Sequence, residues 1–291
     1  MSKFILLRPD SGLNDIFFAI ESYAGYAEQT DRILIVDTAY RNSKHFNEEL
    51  GRYFRSRSIR LILSAGEHYE FLSKLSVFPN FLQNRIHDYE SFWSTPQRNY
   101  CDRSSNSLIN FDLTKNYSES LLVAHTASGG QNSFFTCARL RVNDIVRQQI
   151  KSKLEFIGGY YDAIHVRHTD YQTNYHEKLI ELKQAGVEKL FVATDNEQVV
   201  QDFKNELGEN RVYSFANLKR HDGLPLHRNE VRDQLNTTKN LDAIVDLLLL
   251  ALARNLHILP ITGPGGAKYS GFSLLAKNLW TSKVMLKRFL S

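Results

Sequence analysis

Two cysteines in 291 residues, Cys101 and Cys137, are too few for a disulfide framework, so a reducing compartment is expected. Long hydrophobic runs are also missing. The longest, AIVDLLLLALA at 243–253, is too short to cross a bilayer and carries an aspartate. The opening FILLRP falls well short of a signal peptide's core, which makes the cytoplasm the expected location. Neither G-x-G-x-x-G nor a P-loop is present, which excludes the usual dehydrogenase and kinase readings. There is no internal repeat and no low-complexity tract. Charge of one sign is lacking too: 36 basic and 32 acidic residues leave +4. That balance gives no argument for nucleic acid but suits an anionic small ligand. The basic cluster Arg52, Arg55, Arg57 and Arg60 fits a solvated face better than a lipid contact. It leaves a peripheral touch on the inner membrane face as a secondary expectation.

What is present is an α/β pattern. FILLR (4–8), a turn at 9–15, a helical stretch at 16–30 and RILIVDT (32–38) read as a βαβ unit with a parallel sheet. Asp37 closes the second strand, where a ribose-binding acid would stand. Residues 64–135 are rich in aromatics, Asn and Ser, and read as short helices and long loops. A helix is expected over 138–157, stopped by Gly158-Gly159. Strands follow at 160–168, 189–195, 211–215 and 256–262, with helices at 176–186, 196–208, 240–255 and 271–280. The order predicts two α/β halves, 1–156 with an irregular helical insertion and 157–291.

Polar residues gather where strands end, which is where open α/β sheets bind ligands. In DAIHVRHTDYQTN (162–174), period two puts His165 and Arg167 on one side. Arg167 offers a planar fork suited to a diphosphate; the plainer reading pairs it with Asp170 or Asp195 for structure alone. His165 and His168 face opposite sides of the strand, a poor arrangement for chelating metal, so none is expected. Asp246 interrupts an apolar helix, so its carboxylate must be buried and should orient either Arg167 or a ligand's donors. TGPGGAKYSGFS (262–273) sets glycines and hydroxyls before a helix start, a setting that attracts phosphate.

Taken in order, these residues resemble the superfamily of α1,2-, α1,6- and protein O-fucosyltransferases, most closely the α1,6 branch that includes the nodulation fucosyltransferase. HVRHTD (165–170) is similar to that branch's His-x-Arg-Arg-Thr-Asp, with His168 for the second arginine. VATD (192–195), Asp246 and SGFS (270–273) match later motifs, and SGLND (11–15) matches an N-terminal turn more loosely. The resemblance implies a GT-B-like fold of two facing Rossmann-like domains, the first serving the acceptor and the second GDP-fucose. It implies an inverting transfer of L-fucose to a glycan, in polysaccharide or oligosaccharide synthesis, with neither cofactor nor metal. Arg167 and His165 would then be catalytic. Gly12, Asn14, Asp15, Arg167, His168, Asp170, Asp195, Asp246, Ser270, Phe272 and Ser273 would bind the donor. Where the α1,6 branch has its glutamate base this sequence has Tyr175, so Glu177 or His176 is left for the role, with Glu177 taken first. Another GDP-sugar as donor, or a non-catalytic nucleotide- or glycan-binding protein, are the competing readings.

Overall fold

The computed structural model describes residues 2–40, 43, 45–127, 129–218, 236–262 and 267–291, the side chains of 236 and 237 apart. Residues 263–266 of the glycine-rich turn and 219–235 of the basic loop lie outside the described residues. The chain forms two compact units, residues 1–143 with Ser291 and residues 144–290.

The first unit contains β1 (Lys3–Pro9), α1 (Leu13–Gln29), β2 (Arg32–Val36), β3 (Phe54–Ser56), β4 (Leu61–Ile62), α2 (Tyr69–Leu72), β5 (Val77–Phe78), β6 (Ser91–Ser94), β7 (Asn99–Asp102), β8 (Leu121–Thr126), α3 (Ser133–Arg139) and β9 (Leu140–Val142). Five strands make a parallel sheet in the order β4-β2-β1-β8-β5. Leu6 of β1 sits opposite Ile35 and Val123, all fully buried. The expected opening βαβ unit is there. β8 corrects the reading of 64–135 as helices and loops: every residue of LLVAHT is buried, beside β1 at the sheet's centre. A central parallel strand needs only a short unbroken apolar run, which leaves no alternation to detect.

The helix expected over 138–157 is divided. Leu140–Val142 pairs antiparallel with β3, and α4 (Asp144–Ile157) starts afresh. α4 packs on a helix of the second unit and belongs there. Gly158 follows it at φ +64°, the left-handed stop that glycine accommodates.

The second unit continues with β10 (Asp162–Val166), α5 (His176–Gln184), β11 (Leu190–Thr194), α6 (Glu197–Leu207), β12 (Val212–Tyr213), α7 (Asn236–Leu252), β13 (Asn255–Ile258), α8 (Gly271–Thr281) and α9 (Lys283–Leu290). Its sheet runs β12-β11-β10-β13 and is parallel throughout. Ile164, Val166, Val192 and Val212 pack with Leu179 and Leu182 of α5 and Val199 and Phe203 of α6. α7 lies on β10 and β11 and packs against α4 and α8. A helix joining parallel strands runs back across the sheet, so α5, α6 and α7 each begin at the strands' carboxyl edge, and α8, following β13, begins there as well.

Candidate functional site

β10 buries Ile164 and Val166 under α5 and α6, so period two turns His165 the other way, toward α8. There His165 Nδ1 lies 2.6 Å from Ser273 Oγ, and Ser273 Oγ lies 2.9 Å from Ser270 Oγ. The imidazole also tilts against Phe272, ring centres 5.1 Å apart. Ser270 is the N-cap of α8, its Oγ accepting the Ser273 N–H at 3.1 Å. Burial, with a smaller push from the Arg167 charge, lowers the His165 pKa to about 3. His165 is therefore a neutral imidazole that positions a hydroxyl.

Just past β10, Arg167 donates from Nε and Nη2 to the two oxygens of Asp170, at 2.9 and 2.8 Å. Its guanidinium carbon lies 5.2 Å from the centre of the Tyr171 ring. The loop carrying it is tied from both neighbouring strands. Asp195, after β11, accepts the His168 N–H at 2.7 Å and the Thr169 hydroxyl at 2.6 Å. Asn196 donates to the His168 carbonyl at 2.9 Å. On the β13 side, Gln172 and Thr262 exchange backbone bonds of 2.9 and 2.8 Å, while Thr173 Oγ1 donates to the Arg167 carbonyl at 2.5 Å. Asp195 and Asp170 thus hold the loop and the guanidinium in place.

Asp246 stands apart from this group. It is 7% exposed on α7, and its Oδ1 has no hydrogen-bond partner. Burial, reinforced by the negative charge of Asp242, pushes its pKa well above the carboxylate range. Of the two expected partners, Arg167 is not bonded to Asp246 but to Asp170, and the residues flanking Asp246 on α7 are buried and apolar. Lys239, two turns earlier, is also buried with an unpartnered Nζ. Sequence reasoning missed Lys239; the available signal was a lone cation ahead of an apolar helical run. Tyr175 is a packing residue: it stacks on Phe203 and donates to Asp202 at 2.6 Å, and burial raises its pKa. Glu177 lies exposed in the first turn of α5, its Oε1 accepting from Asn174 at 3.1 Å. Among the described residues no group of three or more His, Cys, Asp or Glu side chains is placed to hold a metal.

In the first unit, Gly12 precedes α1 at φ −68°, with open space where a Cβ would be. Asn14 accepts from Ser133 at 2.7 Å and donates to Asp15 at 3.0 Å, and Ser11 donates to Asp15 at 2.7 Å. These bonds tie the turn and α1 to α3. A second buried network, which sequence reasoning did not find, lies at the ends of β1, β2 and β8. Arg8 donates to Asp37 at 2.9 Å and to the Tyr69 hydroxyl at 2.6 Å, with the Tyr89 ring centre 4.8 Å away. Asp37 is thereby committed to Arg8, not to a ribose. His125, fully buried, stacks on Tyr100 and bonds to the Tyr40 hydroxyl at 2.9 Å. Asp10 takes His45 Nδ1 at 2.7 Å and the Tyr100 hydroxyl at 3.0 Å. Its signal was an Arg and an Asp around Pro9 at the end of an apolar strand.

No family model and no curated protein matches the sequence. Solved structures do match in fold. The α-1,6-fucosyltransferase NodZ, from a crystal soaked with GDP-fucose, aligns with a TM-score of 0.62 at 16% identity, over 96% of this chain and 93% of that one; NodZ from Bradyrhizobium gives 0.61 at 16%, over 95% and 93%. A mutant of Arabidopsis thaliana FUT1 in complex with GDP gives 0.53 at 13% identity, covering 96% of this chain and 69% of that one. POFUT1 in complex with GDP gives 0.51 at 12%, covering 96% and 95%. At these identities the likeness speaks for architecture, and the architecture of this chain is the GT-B fold of those fucosyltransferases.

Proposed function

We propose that this chain is an inverting fucosyltransferase that moves L-fucose from GDP-fucose to a hydroxyl of a polysaccharide or oligosaccharide, in the cytoplasm and without a divalent metal. The observation that carries the reading is the carboxyl edge of the second unit. There the His165–Ser273–Ser270 chain opens α8, and Arg167, two residues past His165, is held by Asp170, on a fold also seen in proteins solved with GDP or GDP-fucose. In this reaction the acceptor hydroxyl attacks the anomeric carbon from the face opposite GDP. The bond to the β-phosphate oxygen breaks, GDP leaves with the electron pair, and the acceptor's proton passes to a base. Arg167 would stabilise the charge growing on the β-phosphate. The hydroxyls of Ser270 and Ser273 and the amides at the start of α8 suit the phosphates. Asp246, deep on α7 with an unpartnered oxygen, suits donors of guanine or ribose. Glu177 begins a helix at this same edge, which keeps it the candidate base, while Asn14 and Asp15 we assign to holding the turn at Gly12.

A panel of nucleotide sugars with EDTA present tests the proposal, with free nucleotide as the readout. GDP-fucose should release GDP and UDP-sugars should not; faster release from another GDP-hexose would overturn the sugar assignment. A second reading, nucleotide binding without transfer, draws on Tyr175, a buried packing residue where the α1,6 branch has its base. It predicts tight GDP binding with no release from any donor and any acceptor.

A further inference from the structure

Among the described residues, few cations stand at the edge where the proposed donor would bind, and Lys268, exposed two residues before Ser270, is one of them. Arg167 is matched by Asp170 at 2.7 Å, and His165 is neutral. At 168 the chain has His where the resembling motif has a second arginine. A buried cation at this edge would add to the charge a diphosphate meets.

Lys239 is such a cation. It is 9% exposed in the first turn of α7, and its Nζ is buried with no hydrogen-bond partner. Lysines normally keep the ammonium in water by extending along the surface. A buried, unpaired ammonium is costly and persists where something other than stability selects it. Its position makes the cost greater. α7 begins at the carboxyl edge of the sheet, and the first turn of a helix presents bare N–H groups and the positive end of the dipole. Two sources of positive potential coincide there, and both are relieved by an anion. Asp242 follows at i+3, yet accepts a backbone N–H from Asn217 instead of meeting the lysine.

We propose that Lys239 is an anion-binding residue of the second unit, and that a phosphoryl group of the donor is the partner its Nζ lacks. The proposal rests on the reading of this edge as a nucleotide-sugar site. An ammonium binds phosphate as a point charge with three donors, complementing a guanidinium whose plane is already set by Asp170. Burial lowers the Lys239 pKa to about 8, which still leaves it mostly protonated at neutral pH.

The test compares full-length wild type with K239M, which keeps the aliphatic length and removes the charge. Both are titrated by calorimetry with pyrophosphate, GDP and guanosine, and melted without ligand. K239M should lose at least tenfold in affinity for pyrophosphate and GDP, keep its affinity for guanosine, and melt higher, since an unpaired buried charge has gone. K239R should keep pyrophosphate binding within a fewfold. Equal pyrophosphate affinity in wild type and K239M would overturn the inference, as would loss of guanosine together with a lower melting temperature. Pyrophosphate bound through Lys239 by a protein that ignores GDP would sink the guanine-nucleotide reading and leave the inference standing. GDP bound equally by wild type and K239M would do the reverse. A wild type that binds neither overturns both.

Discussion

His165 and His125 each exchange solvation for hydrogen bonds inside a unit, and both are held neutral by burial, with pKa values lowered to about 3. Unfolded, each takes a proton near the ordinary value of about 6.5. Between these limits the unfolded chain binds more protons, so stability should fall as pH drops from about 6.5 toward 3. Urea midpoints at pH 7, 5.5 and 4 check this, and H165N should reduce the slope; parallel slopes would refute the assignment. Asp246 acts in the opposite sense. Its raised pKa lets the folded state keep a proton the unfolded state loses, a benefit that disappears as pH rises through the folded value. D246N should therefore melt at least as high as wild type at neutral pH while binding GDP more weakly. A large loss of stability would mean that Asp246 has a partner after all. The burial of Asp246 was legible, because apolar residues surround it on every side of the helix. Its lack of a partner was not, because periodicity says nothing about what lies across the gap. Arg167→Lys should lower kcat by about 10²–10³ with the fold intact, since lysine keeps the charge but loses the two-pronged geometry. Unchanged turnover would remove Arg167 from the chemistry.

At the scale of an element, the loop after β10 is a clasped structure. Asp195 holds it from the β11 side, and the Gln172–Thr262 exchange holds it from the β13 side. D195A removes two acceptors at once and should cost about 1–3 kcal/mol. It should also speed hydrogen exchange at the His168 amide and lower kcat more than GDP affinity, because Arg167 loses its fixed aim. An unchanged exchange rate would show that the β13 side suffices alone. The two ends of such a clasp were unequally legible. VATD marked Asp195 as a strand-end acid, but its bond to a neighbouring loop depends on strand order, which no local pattern encodes. β8 was missed for a related reason: six buried residues in a central parallel strand show no alternation. The break near Leu140 was hidden because LRV continues the apolar spacing of a helix, and its pairing with β3 comes from more than 80 residues upstream.

At the scale of the whole molecule, each unit has its own parallel sheet and its own buried core. A fragment of residues 144–290 should therefore fold alone, melt cooperatively and bind GDP; a fragment without a cooperative transition would show that the second unit depends on the first. The two-part α/β organisation was legible from the order of strand and helix patterns, and α4 joins the second unit because its packing partner is α7. The strand orders carry one more consequence. In each sheet the strand made first is flanked on both sides in the finished fold: β1 by β2 and β8, β10 by β11 and β13. On the ribosome, β1 gains one neighbour within thirty-odd residues but waits for residues 121–126 for the other, and β10 likewise waits for residues 255–258. During each interval a strand that ends up largely buried shows one bare edge, the condition under which nascent chains pair with the wrong partner. Chains truncated just before β13 should aggregate during synthesis, whereas those carried past it should be released in a form a chaperone no longer holds.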